Sequence, residues 1–152
     1  MPAFHPALDE HSRRIIEQGL DVPHDADLVP LSCDVIDGDL AAALFAHGDA
    51  LEWAVFEYDG GWSSLCRTAI IEAGSGPAEQ QQERVGIEHN GWARSRTRRW
   101  SPRGRHLVHA RVLRAHRIAQ LRVATRTVAT PRGWAIMVWR GRDAPAVSVD
   151  SP

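Results

Sequence analysis

Apolar positions early in the chain recur at helical spacing. Leu8, Ile15, Ile16 and Leu20 fall near one face of a helix read over residues 6–19, with acids early and Gly19 where it would stop. From Leu20 to Val35 the pattern breaks up around Pro23 and Pro30, which predicts an ordered loop leading into a strand at Leu31–Ile36. A second short helix is expected over Leu40–Ala46, because Asp37 or Asp39 can cap its start and Gly48 its end. After Gly48 the period shortens to two. Leu51–Tyr58, the turn Asp59-Gly60-Gly61 and Trp62–Glu72 read as a hairpin, the Asp-Gly pair supplying the positive φ angles of a tight turn. Ala73–Gln82 reads as a flexible loop. Arg84–His89, a turn at Asn90-Gly91 and Trp92–Trp100 read as a second hairpin, broken off at Ser101-Pro102-Arg103-Gly104. A third group comprises His106–Leu113, Ile118–Ala124, Arg126–Thr130 and, after Pro131-Arg132-Gly133, Trp134–Trp139. This last strand is apolar on both faces, which predicts a central place in a sheet.

Short strands separated by Gly, Pro and Asn turns, with no βαβ spacing, predict a mainly β fold: an antiparallel β-sandwich or small barrel carrying one or two short N-terminal helices. The 152 residues suffice for one buried core. The expected organisation is a single domain over residues 1–152, with a helical and loop part, 1–48, packed on a β-rich part, 49–150.

Composition changes this picture little, and charge changes it more. Hydrophobic content of 43% and charged content of 24% are those of a folded globular chain. No apolar run approaches the roughly 20 residues of a membrane span, and the start lacks the basic and apolar regions of a signal peptide, so no membrane partner and a cytoplasmic location are expected. Cys33 and Cys66 have no metal-type spacing and are expected to be free, mostly buried thiols. Residues 1–88 carry four arginines against seventeen acids, whereas residues 89–142 carry fourteen arginines and no acid. Such asymmetry fits an anionic partner for one half, or two halves that neutralise each other within a fold or between subunits. All eighteen basic side chains are arginine, a composition that a GC-rich coding bias explains, yet the planar guanidinium still suits bidentate bonds to carboxylate or phosphate.

The sharpest local pattern is Trp92, Arg94, Arg96, Arg98, Trp100. On a strand all five project from one face, about 6.6–6.8 Å apart, an arginine row bracketed by two indoles. Charge for a backbone and flat rings for stacking are what single-stranded nucleic acid binding uses. The plainer alternative is internal pairing, with Glu52, Glu57, Glu72, Glu83 and Glu88 available opposite the row. Trp134 and Trp139 are assigned to the core, Trp92 and Trp100 to the surface.

His106, His109 and His116 are weak metal candidates, since on a strand His109 points away from the other two and no Cys, Asp or Glu is near in sequence. The segment His24-Asp25-Ala26-Asp27 offers carboxylates from a loop. No Walker loop, Gly-x-Ser-x-Gly elbow, dinucleotide fingerprint or His-Glu-x-x-His is present, so no catalytic residue and no cofactor are assigned.

The strand sequences His109-Ala-Arg-Val-Leu-Arg-Ala115, Leu121-Arg-Val123, Arg126-Thr-Val-Ala129, Gly133-Trp-Ala-Ile-Met-Val-Trp139 and Ala146-Val-Ser-Val-Asp150 follow one another along the chain. In that order they resemble a C-terminal module of uncharacterised actinobacterial proteins, and Gly60-Gly-Trp-Ser-Ser-Leu-Cys66 is similar to a strand that often precedes it. The resemblance implies a small β-sandwich without an assigned activity; Thr125-Arg126 stands where the module usually has an Asp-Gly turn.

The leading expectation is a non-enzymatic binding or interaction module whose arginine-rich face meets an acidic protein surface or a second copy of the chain. The alternatives are a nucleic-acid-binding protein using the Arg94–Arg105 region, with steep salt dependence, and a small hydrolase or transferase with an unrecognised His/Cys site in a deep pocket.

Overall fold

The computed structural model describes residues 4–71 and 85–149; the loop expected at Ala73–Gln82, with Glu72, Glu83 and Asp150, lies outside them. Helix α1, Leu8–Gln18, presents Leu8, His11, Ser12 and Ile15 to the interior, a stripe at helical spacing. Asp9 and Glu10 sit in its first turn, where the helix dipole favours negative charge. Its end is set by Gly19 at φ 97°, whose N–H donates to the Ile15 carbonyl at 2.9 Å.

Ten strands follow. β1 (Val29–Ile36), β2 (Leu40–His47), β3 (Ala50–Tyr58) and β4 (Trp62–Ile71) form one antiparallel meander. β5 (Val85–Arg94), β6 (Leu107–Ala115) and β9 (Trp134–Arg140) form a second sheet in the order β5-β6-β9, and β7 (Gln120–Val123), β8 (Arg126–Ala129) and β10 (Val147–Val149) a third in the order β10-β7-β8. The fold is therefore mainly β, antiparallel, with one short helix.

Three local expectations are corrected. Leu40–Ala46 is strand β2, not a helix: it lies between β1 and β3, with α1 over one face and the second sheet over the other, so almost every residue is buried. Asp37 and Gly38, both at positive φ, make the turn into β2, and Gly48 at φ 59° the turn out of it; they are hairpin residues rather than helix caps. Asn90-Gly91 is no turn, because β5 runs straight through it, paired with β6 from Val85 to Arg94. Gly91 is required for space: a Cβ there would lie 2.9 Å from Cζ2 of the fully buried Trp53 and closer still to Cη2. Finally, β9 is packed on both faces yet is the last strand of its sheet.

The outer edge of β9 is closed by side chains. Ser32 Oγ accepts the Ile136 N–H at 3.0 Å and Asp34 Oδ2 accepts the Val138 N–H at 2.9 Å. Arg126, at the start of β8, forks onto Asp34 at 2.8 and 2.7 Å and also donates to the Val138 carbonyl at 3.0 Å. One carboxylate thus joins all three sheets, and among the described residues no backbone ladder closes a barrel. The main core, including Leu44, Trp53, Val112, Ile136 and Val138, fills the space between the two larger sheets. A second cluster, with Leu113, Leu121, Val128, Met137 and Trp139, lies between β9 and the small sheet, and a third seats α1 on Ala43 and Phe45. Among the described residues no helix is long and apolar enough to cross a membrane.

Candidate functional site

At the end of the sandwich where β1 turns into β2, β3 finishes at Glu57-Tyr58, β5 at Arg94 and β9 at Arg140. Glu57 is only 3% exposed, and a buried carboxylate must find partners. It takes them from the chain leaving β5. Its Oε1 accepts the Arg96 N–H at 2.7 Å; its Oε2 accepts from the Ser95 hydroxyl, from Thr97 Oγ1 at 2.9 Å and from Arg140 Nη1 at 2.9 Å. Burial alone would push the Glu57 pKa up, but these donors outweigh it and hold the carboxyl below its ordinary value. Ser95 Oγ accepts in turn from the N–H groups of Thr97 and Arg98, at 3.2 and 2.9 Å, which fixes the segment as a tight bend.

This bend corrects the expected arginine row. Only Trp92 and Arg94 share a strand face; past Ser95 the alternation ends, so the five side chains do not form one line. The structure instead gathers Arg94, Ser95, Arg98, Trp100 and His106 around a groove of about 240 Å³. Arg98 reaches Asp39 at 3.1 Å. Arg94, Arg96 and Arg99 reach no carboxylate among the described residues, because Glu57 is satisfied by backbone, hydroxyls and Arg140. Of the other expected partners, Glu52 is occupied elsewhere, as described below. Trp100 is 74% exposed and Trp92 61% exposed, as the sequence suggests. Trp92 lies beside His109, which stacks on Trp139 at 5.3 Å with the rings 15° apart. Burial, and secondarily the charge of Arg111, pushes the His109 pKa down.

The three later histidines do not converge. His106 Nδ1 accepts the Ser101 N–H at 3.2 Å beside Trp100, His109 lies on Trp139, and His116 follows the end of β6. The loop carboxylates meet other histidines: among the described residues, the one set whose ligand atoms come together is His5, Asp25 and Asp27. His5 Nδ1 accepts the Ala7 N–H at 3.0 Å, so the neutral ring carries its proton on Nε2, the atom facing Asp27 at 3.5 Å and Asp25 at 3.8 Å. With its proton there, that nitrogen offers no lone pair to a cation, and it faces the two carboxylates at distances longer than a hydrogen bond. His11 contacts Asp25 at 3.2 Å, the His5 N–H donates to Glu52 Oε1 at 2.9 Å, and His47 Nδ1 lies 2.9 Å from the other Glu52 oxygen. The cluster thereby anchors the N-terminal segment to β3. Sequence reasoning does not anticipate it, because its members span residues 5 to 52 without a motif.

Both cysteines are free, as expected, but each is half-buried rather than buried. Cys33 faces α1, where burial, with a further push from Asp34, raises its pKa to about 12. Burial raises Cys66 as well, partly opposed by a backbone hydrogen bond with Val55. Neither lines the groove. What fold and site define is an antiparallel β-sandwich with an arginine-bearing end whose bend is hydrogen-bonded to Glu57. No protein-family model, curated protein or solved structure matches the chain.

Proposed function

We propose that this chain is a binding module whose arginine-bearing end receives an acidic protein surface. One observation carries the reading: Arg94, Arg96 and Arg99 are exposed and lack carboxylate partners among the described residues, in the segment that leads to the exposed Trp100, with Arg94 and Trp100 on one groove and Glu57 hydrogen-bonded to the bend between them. A pre-shaped backbone lowers the ordering cost of association, and Arg and Trp are the residues that dominate binding energetics at interfaces. The acid-rich first half of the same chain makes self-association the simplest form of such an encounter.

The test is fluorescence anisotropy with a labelled Asp/Glu-rich peptide at low and high salt, alongside sedimentation of the protein alone. The expected result is salt-sensitive peptide binding that the triple change Arg94→Gln, Arg96→Gln, Arg99→Gln abolishes. Stability should stay within about 0.5 kcal/mol, since the replaced side chains are on the surface. Absence of both peptide binding and self-association at low salt would overturn the reading. A second reading, single-stranded nucleic acid, is favoured by the two exposed indoles beside guanidinium groups. Oligothymidine binding tighter than the peptide, and weakened by Trp100→Ala by about 1–3 kcal/mol, would decide for it.

A further inference from the structure

Strand β5 is an edge: β6 pairs with one side of it, and among the described residues no strand lies on the other. One bond shows which of its backbone groups face that open side. The Ser95 N–H, just past the strand, donates to the His106 carbonyl at 2.8 Å. Consecutive residues of an antiparallel strand turn their N–H and C=O to opposite sides. Ala93 and Gly91 therefore bond toward β6, as Ser95 does, and the backbone groups of Trp92 and Asn90 point out of the sheet. Folded proteins protect such edges with lysine, proline, a bulge or a covering element, and the edge of β9 is closed by Ser32, Asp34 and Arg126. In contrast, β5 has ten residues without Lys or Pro and carries two exposed apolar side chains, Ile87 and Trp92. Its bulge, at Glu88, lies toward the start of the strand and leaves Asn90 to Arg94 in regular register.

We propose that β5 docks a second copy of this chain, the two strands pairing antiparallel about a two-fold axis at Gly91. Charge sets that register. Glu88 is the only carboxylate in β5 and Arg94 its only guanidinium; both are exposed, and neither makes an ion pair with another described residue. A two-fold axis at Gly91 sets Glu88 opposite the partner's Arg94 at each end of the ladder, and no other register opposes the two. The ion pairs need only proximity, so the bulge at Glu88 does not prevent them. Asn90 then stands opposite the partner's Trp92, outward groups meeting outward groups, which closes backbone hydrogen bonds across the axis. The two Trp92 indoles become diagonal neighbours about 7–8 Å apart, within reach of each other, and the strand's most exposed apolar side chain leaves water. Gly91 meets its own copy in the closely spaced, non-hydrogen-bonded kind of pair and brings no side chain to crowd it. Such an interface is isologous and closes at two copies. It goes beyond the proposed peptide-binding end: Arg94 borders both, but Arg96, Arg99 and Trp100 lie past the strand.

The experiment is sedimentation equilibrium of the full chain over a range of concentrations, paired with residue-resolved amide hydrogen exchange by NMR. The expected result is a monomer–dimer equilibrium in which the Asn90 and Trp92 amides exchange more slowly as dimer forms, while those of Gly91 and Ala93 are protected throughout. Glu88→Arg, at an exposed position, sets like charges opposite each other at both ends and should weaken the dimer about tenfold or more. Adding Arg94→Glu to it restores unlike pairs and should restore the dimer. A monomer at every concentration up to about 1 mM overturns the proposal, as does protection of Asn90 and Trp92 that is independent of concentration, or a double variant as weak as the single one. Glu88→Arg keeps every arginine and should retain acidic-peptide binding, whereas Arg96→Gln with Arg99→Gln should weaken peptide binding and leave the dimer intact, so the two readings fail separately.

Discussion

Gly91 shows how one residue can mislead a sequence reading and still be indispensable. Asn-Gly between apolar stretches is the strongest short hairpin signal, but the signal presumes that glycine is needed for a positive φ. Gly91 is not among the glycines with positive φ; it lets β5 cross the Trp53 indole. A space requirement of this kind depends on a residue thirty-eight positions away and leaves no local trace. Gly91→Ala should therefore destabilise the protein by about 1–3 kcal/mol, the usual cost of overpacking, read as a lower denaturation midpoint. Combined with Trp53→Leu it should cost less than the two single changes added, because the smaller side chain removes the clash. The cysteines illustrate the opposite case, a residue-level expectation that composition alone supports. With its thiol pushed up to about 12 and facing α1, Cys33 should stay unmodified by a thiol reagent in the native state and react only on unfolding, a contrast that denaturant-dependent labelling measures.

Among the elements, most strands are legible because alternation and turn residues agree, as in the hairpin of β3 and β4 around Asp59-Gly60. Strand β2 is not, since every cue is ambiguous. Leu-Ala-Ala-Ala-Leu-Phe-Ala suits a helix by propensity, a continuous apolar run has no diagnostic period, and Asp37 and Gly48 serve equally as helix caps or hairpin turns. Burial on both faces decides, and burial is a tertiary property. The edge of β9 carries the same lesson, for its amides are closed by Ser32 and Asp34 from a strand about a hundred residues earlier. Asp34→Ala should cost about 3–5 kcal/mol, the range for breaking a buried charge pair, because it strands Arg126 and frees the Val138 N–H. It should also promote edge-to-edge association, visible in light scattering, since an unpaired strand edge recruits another. Arg126→Lys keeps the charge but loses the fork, so its destabilisation should be the smaller of the two in urea titrations.

For the molecule as a whole, the opposition of charge along the chain is resolved unevenly. Asp34, Asp39 and Glu57, all from the acidic half, neutralise Arg126, Arg98 and Arg140, while the bend after Ser95 leaves other arginines outward. The arginine block and its exposed tryptophans are plain in the sequence; that Glu57 holds them through backbone amides and hydroxyls is not, since this needs β3 and β5 to end at one place. Glu57 thus links stability to presentation of the site, and pH separates the two. Its folded pKa is depressed, so its contribution is fully present above the unfolded carboxyl value, about 4.3, and is lost as pH falls through the lower folded value. Glu57→Gln should destabilise the protein at neutral pH by about 3–5 kcal/mol, because Arg140 is left buried without its partner. The gap between wild type and variant should narrow as pH drops below that value, which chemical denaturation across an acid series measures. At neutral pH, under conditions where the variant remains folded, the Ser95–Arg98 bend should loosen and acidic-peptide affinity should fall although every arginine is retained. Unchanged affinity would mean that the guanidinium groups act as a diffuse charge and that the geometry built on Glu57 serves stability alone.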